Sequence, residues 1–244
     1  MSLPTSGSGS RLDAAKSVAS LFTDLLEDGS NYRLGLVSFS TTASSPSDMP
    51  LTDVFGAPAA LSAALASLIP AGLMSIGDGL QKAQTLIASG SEPRKVILLL
   101  TDGQENTPPT ILDVEPLLGD THVCSIGFGT PGSLDGPKLQ DLSEHQGGIY
   151  ISTTNPLELK KYFVFCFANL FNNFVGEDPI DILPARQFVS APTVHRSFLN
   201  EKIMFVLGWT NPSPPRTLQL VITTPSGTVL NFNASGVNRK FGAT

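Results

Sequence analysis

Val96-Ile97-Leu98-Leu99-Leu100-Thr101-Asp102-Gly103 is an apolar run that ends on a carboxylate and then a glycine. Its apolar part is too short to span a membrane and has no alternating polar face, so it reads as a strand covered on both sides in a mostly parallel sheet. Asp102 then stands at the strand's carboxyl end, the edge where open α/β sheets hold their ligands, and Gly103 lets the chain turn away. A carboxylate there suits a cation or an ion-pairing partner. The plainer alternative is a turn aspartate that caps whatever follows.

On either side of this run, strand and helix patterns alternate. Ser10-Arg11-Leu12-Asp13 has the form of a capping box, and Leu12, Ala15, Ala19, Phe22, Leu25 and Leu26 recur at helical spacing until Gly29. Leu34, Leu36, Val37 and Phe39 predict a strand over 32–40, followed by an extended piece over 49–54 and an alanine-rich helix over 57–68. Ser75-Ile76-Gly77-Asp78 offers a second cap ahead of Leu80, Ala83, Leu86 and Ile87. Beyond the Val96 strand come a short helix over 110–118 broken near Pro116, a strand over 122–128 and a helix over 134–145. A strand over 149–152 and a long apolar helix over 157–174 complete the series. This order predicts an α/β, Rossmann-like fold: a mostly parallel sheet with right-handed crossovers, helices on both faces and one short antiparallel edge hairpin.

Composition changes after Val175. Residues 176–186 read as a linker, and 187–194, 203–210, 217–224 and 229–232 read as extended segments between proline and glycine turns. They amount to a partial β-sandwich-like, all-β module over 187–244, short of the about seven strands of a small sandwich. Residues 1–10 read as a Gly/Ser-rich flexible leader, which places the α/β domain at 11–175. Asn233-Ala234-Ser235 has the form of a glycosylation sequon.

A chain of 244 residues can bury roughly 70% of its unfolded surface and needs no staples to fold. Its net charge of −6, with no cluster of Lys and Arg interleaved with aromatics, argues against a nucleic-acid groove or direct membrane insertion. The longest apolar cluster, 162–168, is far shorter than a span of about 20 residues, and the polar start over 1–10 is not a secretory signal. Cys124 and Cys166 lack metal-ligand spacing and sit in apolar surroundings, either as buried thiols or as one disulfide. His122, His145 and His195 are isolated from one another in sequence, and no Glu-x-x-His occurs. With no Gly-x-Ser-x-Gly elbow after a strand and no Gly-x-Gly-x-x-Gly, the reading is non-enzymatic. His145 follows Glu144, but neighbours on a helix do not face each other.

Five segments together resemble the von Willebrand factor type A domain over about residues 4–174. They are Ser6-Gly7-Ser8, Arg11-Leu12-Asp13-Ala14-Ala15-Lys16, Gly35-Leu36-Val37-Ser38-Phe39-Ser40, Ser75-Ile76-Gly77-Asp78-Gly79-Leu80 and Leu100-Thr101-Asp102-Gly103. The resemblance implies a metal-ion-dependent adhesion site at the strand carboxyl edge. There an Asp-x-Ser-x-Ser loop, a threonine and a late aspartate hold magnesium or another divalent cation, and the ion's open position accepts an acidic side chain of a partner protein. Carried over by position, Ser6, Ser8 and Asp102 match metal ligands, whereas Pro4 and Met74 occupy the positions of the first aspartate and the threonine. The family's first central strand, which leads into the Asp-x-Ser-x-Ser loop, has no counterpart here. Phe205-Val206-Leu207-Gly208-Trp209-Thr210, Leu218-Gln219-Leu220 and Thr224-Pro225-Ser226-Gly227 resemble the β-sandwich of calcium-activated chloride channel regulators, whose zinc-protease motif is missing.

These resemblances imply an extracellular or cell-surface setting and an adhesion or protein-interaction module that docks around Ser6, Ser8, Asp102, Gln104, Glu105 and Asn106. The alternative is a metal-independent scaffold domain of a larger surface or secreted protein. In that case Asp102 only caps a turn, and Asp13 and Asp78 are ordinary first-turn acids favoured by the helix dipole.

Overall fold

The computed structural model describes residues 1, 3, 9–26, 32–53, 55–171, 206, 221–224 and 226–230. Helix α1 (Arg11–Leu25) starts at the capping box expected from the sequence. The Asp13 amide donates to Ser10 Oγ (3.2 Å), and the Ser10 amide donates to Asp13 Oδ2 (2.8 Å). The amide donor holds the Asp13 carboxyl below its ordinary range. The helix stops at Leu26, which is extended, ahead of the predicted stop at Gly29.

Strands β1 (Arg33–Leu36) and β2 (Met49–Asp53) form the antiparallel hairpin, with an irregularity between Leu34 and Leu36. The strand predicted over 32–40 ends early because the chain curls into a turn closed by a Phe39–Ala43 bridge. Asp48 locks that turn by accepting from the Ser38 amide and Ser44 Oγ. Helices α2 (Ala57–Ser67) and α3 (Ile76–Ala88) follow, then β3 (Val96–Thr101). Helix α4 (Ile111–Val114) passes into a tight turn over Glu115–Leu117 that contains Pro116, in keeping with the predicted break. Strand β4 (His122–Phe128), helix α5 (Gly136–His145), strand β5 (Tyr150–Thr153) and helix α6 (Pro156–Leu170) complete the order.

β3, β4 and β5 make a parallel sheet in that order. Helices α1 and α6 cover one face, through Val18, Phe22, Leu25, Phe163, Phe167 and Leu170. The other face is covered by α3, α4 and α5, through Ile76, Leu80, Ile111, Leu139 and Leu142. Cys124 of β4 and Cys166 of α6 are joined by a disulfide with Cα atoms 5.7 Å apart, which decides between the two readings of the cysteines.

One expectation needs correction. The single sheet is, among the described residues, two: the β1–β2 hairpin and the β3–β4–β5 sheet, with no ladder between β1 and β3. Helices do cover the Val96 run on both faces, Ile97 and Leu99 packing with α3, α4 and α5 and Val96, Leu98 and Leu100 with α1 and α6. Ile97, Leu99 and Thr101 are buried, but Val96, Leu98 and Leu100 are only half-buried. β4, with a strand on each side, is the one whose side chains are enclosed on both faces. The linker over 176–186 and most of the module over 187–244 lie outside the described residues. What is described there includes a turn closed by a Thr223–Val229 bridge, and no sandwich is seen among the described residues. No described helix is long and apolar enough to cross a membrane.

Candidate functional site at the carboxyl rim of the sheet

The carboxyl ends of β1 and β3 meet at one rim, and backbone hydrogen bonds fasten its loops together. The Ser75 amide donates to the Ser40 carbonyl (2.8 Å), and the Asn106 amide donates to the Met74 carbonyl (2.9 Å). Asn106 Oδ1 accepts in turn from the Met74 amide (2.8 Å), and Thr41 Oγ1 accepts from the Leu73 amide (3.1 Å). The rim is thus a braced platform rather than a set of independent loops.

Asp102 lies on this platform where the sequence placed it, and it is 94% buried. A carboxylate so enclosed needs positive partners. Arg11, in the first turn of α1, donates from Nη1 to the Asp102 carbonyl (3.3 Å) and sits 3.6 Å from its Oδ2. The Met1 amino group donates to the same Oδ2. Nothing in the sequence flagged Arg11, because its partner is 91 residues away and no local pattern links them.

Glu105 has a different role from the docking role read for it. Its Oε1 accepts from the Gly77 amide (2.9 Å) and from the Ile111 amide (3.0 Å), so one carboxylate caps the first turns of α3 and α4. Orphan amides at a helix start favour an acceptor with negative charge. This explains why Ser75 does not act as the predicted side-chain cap: its Oγ points instead to the Pro108 carbonyl (3.4 Å). Asp78 likewise does more than face the dipole, since its Oδ2 accepts from the Ala43 amide (2.6 Å) and clips the 40–44 turn to α3.

Gly77 is fixed by the same crowding. A Cβ there would overlap the Pro109 carbonyl oxygen and come within 2.5 Å of the Thr110 carbonyl oxygen, both rigid backbone atoms. Gly77→Ala is therefore expected to destabilise the chain by about 1–3 kcal/mol, read as a lower urea midpoint. An unchanged midpoint would mean that α3 does not abut residues 109–110.

The residues present can be tested against the divalent cation that the resemblance implies. Magnesium takes hard oxygen ligands in near-octahedral array and is not served by a thioether. Among the described residues the rim offers only carboxylates that are already engaged: Asp102 with the Arg11 guanidinium, Glu105 with the Gly77 and Ile111 amides, and Asp78 with the Ala43 amide. It also offers Met74, whose sulfur lies 3.5 Å from Thr101 Oγ1. Ser6, Ser8 and Pro4 lie outside the described residues. No group of three or more His, Cys, Asp or Glu able to hold a metal occurs among the described residues. The described donors do not fit the ion.

At the opposite edge, a small cleft of about 270 Å³ is lined by Asp120, Thr121, His122, His145 and Gln146, with Gly119 and Gly147. The fold here brings together two histidines that read as isolated in the sequence. His145 Nδ1 is 2.7 Å from Glu115 Oε1, and that hydrogen bond raises the pKa of the imidazole above its ordinary value.

The sequence matches the von Willebrand factor type A domain over residues 5–163, more than half of the chain. The chain belongs to the von Willebrand factor type A domain family. Solved structures agree on the fold of this type A domain. A von Willebrand factor type A protein from Catenulispora acidiphila superposes with a TM-score of 0.57 at 21% identity, covering 68% of this chain and 39% of that one. Proximal thread matrix protein 1 from the mussel byssus, with a zinc-occupied MIDAS motif, gives 0.52 at 18% identity over 64% and 41% of the two chains. A curated relative, the minor capsid protein L2 of human papillomavirus 30, is 26% identical over 136 residues. That match takes in 54% of this chain and spans only 29% of the relative's length. Type A domains are typically used for adhesion or protein binding.

Proposed function

We propose that this type A domain is a non-catalytic docking module that receives a partner protein on the carboxyl rim of its sheet, with Arg11 rather than a divalent cation neutralising Asp102. One observation carries the reading. The α2–α3 connection exposes Ile69 (79%) and Leu73 (55%), and Leu73 is tied beside the braced loops that carry Thr41 and Asn106. Large apolar side chains held in the open next to satisfied polar groups are the makings of an interface core and its rim. The buried disulfide fits the surface or secreted setting that the resemblance implies, because such bonds persist in oxidising compartments. In this reading the partner needs no acidic side chain, because no cation is there to take one.

The test places a photo-crosslinking amino acid at Leu73 and, separately, at Leu117, which is equally exposed (57%). A discrete protein adduct at Leu73, lost in Ile69→Asp and absent at Leu117, is the expected result. Equal labelling at both sites, or none, would leave the scaffold reading. Calorimetric titration with magnesium and manganese is expected to be silent at millimolar ion, and heat that vanishes in Asp102→Ala would restore cation-mediated docking.

A further inference from the structure

The cleft of about 270 Å³ at the edge opposite the rim is built from two stretches of chain. Gly119, Asp120 and Thr121 lead into His122, the first residue of β4, while His145, Gln146 and Gly147 end α5 and turn toward β5. These walls are braced from behind. Thr121 Oγ1 donates to Gln84 Oε1 of α3 (2.9 Å), the His122 amide to the Lys95 carbonyl (3.0 Å) and the Val123 amide to the Gln146 carbonyl (3.3 Å). With its amide nitrogen turned toward them, Gln146 donates to the carbonyls of Gly119 (3.1 Å) and Thr121 (2.7 Å).

The field in the cleft is negative. Asp120 is exposed, and among the described residues its carboxylate has no hydrogen-bond or ion-pair partner. Glu115, from the tight turn after α4, sits against His145 Nδ1, and Asp141 and Glu144 of α5 add their charges. The carboxyl end of α5 contributes the negative pole of its dipole. Among the described residues no lysine or arginine lines the walls. The raised pKa of His145 records that field, with the Glu115 hydrogen bond as its largest cause.

We propose that this cleft binds a guanidinium group, paired with the Asp120 carboxylate and laid against the rings of His122 and His145. An anion would meet the Asp120 and Glu115 carboxylates. A bare metal ion would lack its ligands, since no metal-holding group of three occurs among the described residues. An ammonium is a strongly hydrated point charge, whereas a guanidinium is weakly hydrated, meets a carboxylate with two parallel N–H bonds and stacks on ring faces. Drug-sized ligands fill clefts of about 300–1,000 Å³, so this one takes a single such group rather than a cofactor. A proton on His145 puts a second positive charge in the same cleft. Binding is therefore strongest above the His145 titration and weakens as pH falls through it, and a bound guanidinium in turn makes His145 harder to protonate. His122, facing from β4, acts in the same sense when charged.

Histidine-ring and amide NMR on the full chain tests it. The probes are free arginine and an acetylated, amidated Gly-Arg-Gly peptide, and the controls carry citrulline, a neutral urea of the same shape, in place of arginine. The expected result is a saturable shift of the His122 and His145 ring signals and of the amides of 119–122 and 145–147, while the Gly103 amide at the rim stays in place. The dissociation constant rises about tenfold or more as pH falls through the His145 titration. His145→Gln keeps the binding and flattens that dependence. Asp120→Asn abolishes the shifts with an unchanged urea midpoint, because the side chain it alters is exposed. Shifts with both probes identify a side chain recognised on its own, and shifts with arginine alone identify the free amino acid; either upholds the site. Equal shifts with citrulline, no saturable shift, or undiminished binding in Asp120→Asn would overturn the proposal, as would an affinity indifferent to the His145 titration. Leu117 is not one of the walls and Leu73→Asp leaves them intact, so this inference and the docking reading fail separately.

Discussion

Phe22→Ala is expected to lower the unfolding free energy by about 3–5 kcal/mol, among the largest losses available to a single substitution. Phe22 projects from α1 into the rings of α6 and the residue after it. It meets Phe163 at 5.7 Å, Phe167 at 5.5 Å and Phe171 at 6.4 Å between centroids, each edge to face. Truncation removes the transfer term of a buried aromatic and leaves a cavity that three rings cannot close without abandoning their mutual geometry. A domain of this kind holds about 5–15 kcal/mol in total, so the loss takes a large share of it. Urea denaturation measures the loss, with Leu112→Ala as control, since Leu112 is 64% exposed and its truncation should cost under about 0.5 kcal/mol. A Phe22→Ala loss as small as the control's would mean that α1 is not seated on α6.

What the sequence disclosed and what it hid follow a physical division. Features settled within a few residues were legible. The Ser10–Asp13 capping box, the break at Pro116 and the strand that delivers Asp102 to the rim all depend on neighbours in the chain. Features settled by which side chain arrives first in space were not. Ser75 and Asp78 carry every local mark of a helix cap, yet Glu105 takes the α3 amide and leaves Asp78 free to clip Ala43. Arg11 reads as an ordinary first-turn residue until the fold sets it against Asp102. The half-burial of Leu98 and Leu100 was invisible because five apolar residues look alike whether or not a strand lies beside them. The resemblance brought Ser6, Ser8 and Asp102 forward as ligands, and of these only Asp102 falls among the described residues.

Converting both cysteines to alanine, Cys124→Ala with Cys166→Ala, is expected to cost about 2–4 kcal/mol. The bond joins residues 42 apart, so in the unfolded chain it closes a loop that holds α5, β5 and most of α6. Releasing that loop gives the unfolded state conformations it otherwise lacks, and the native contacts need not change for stability to fall. Alanine is the right replacement because both positions are fully buried, and a serine hydroxyl there would add an unsatisfied polar group to the effect being measured. Two readouts separate the loop effect from simple loss of packing. The midpoint in urea should fall, and the slope of unfolding free energy against urea should steepen, because an uncrosslinked unfolded chain exposes more surface. A lower midpoint with an unchanged slope would assign the loss to the core around β4 and α6 instead. An unchanged midpoint would mean that the two sulfurs are not bonded, and that aromatic packing alone seats α6 on the parallel sheet.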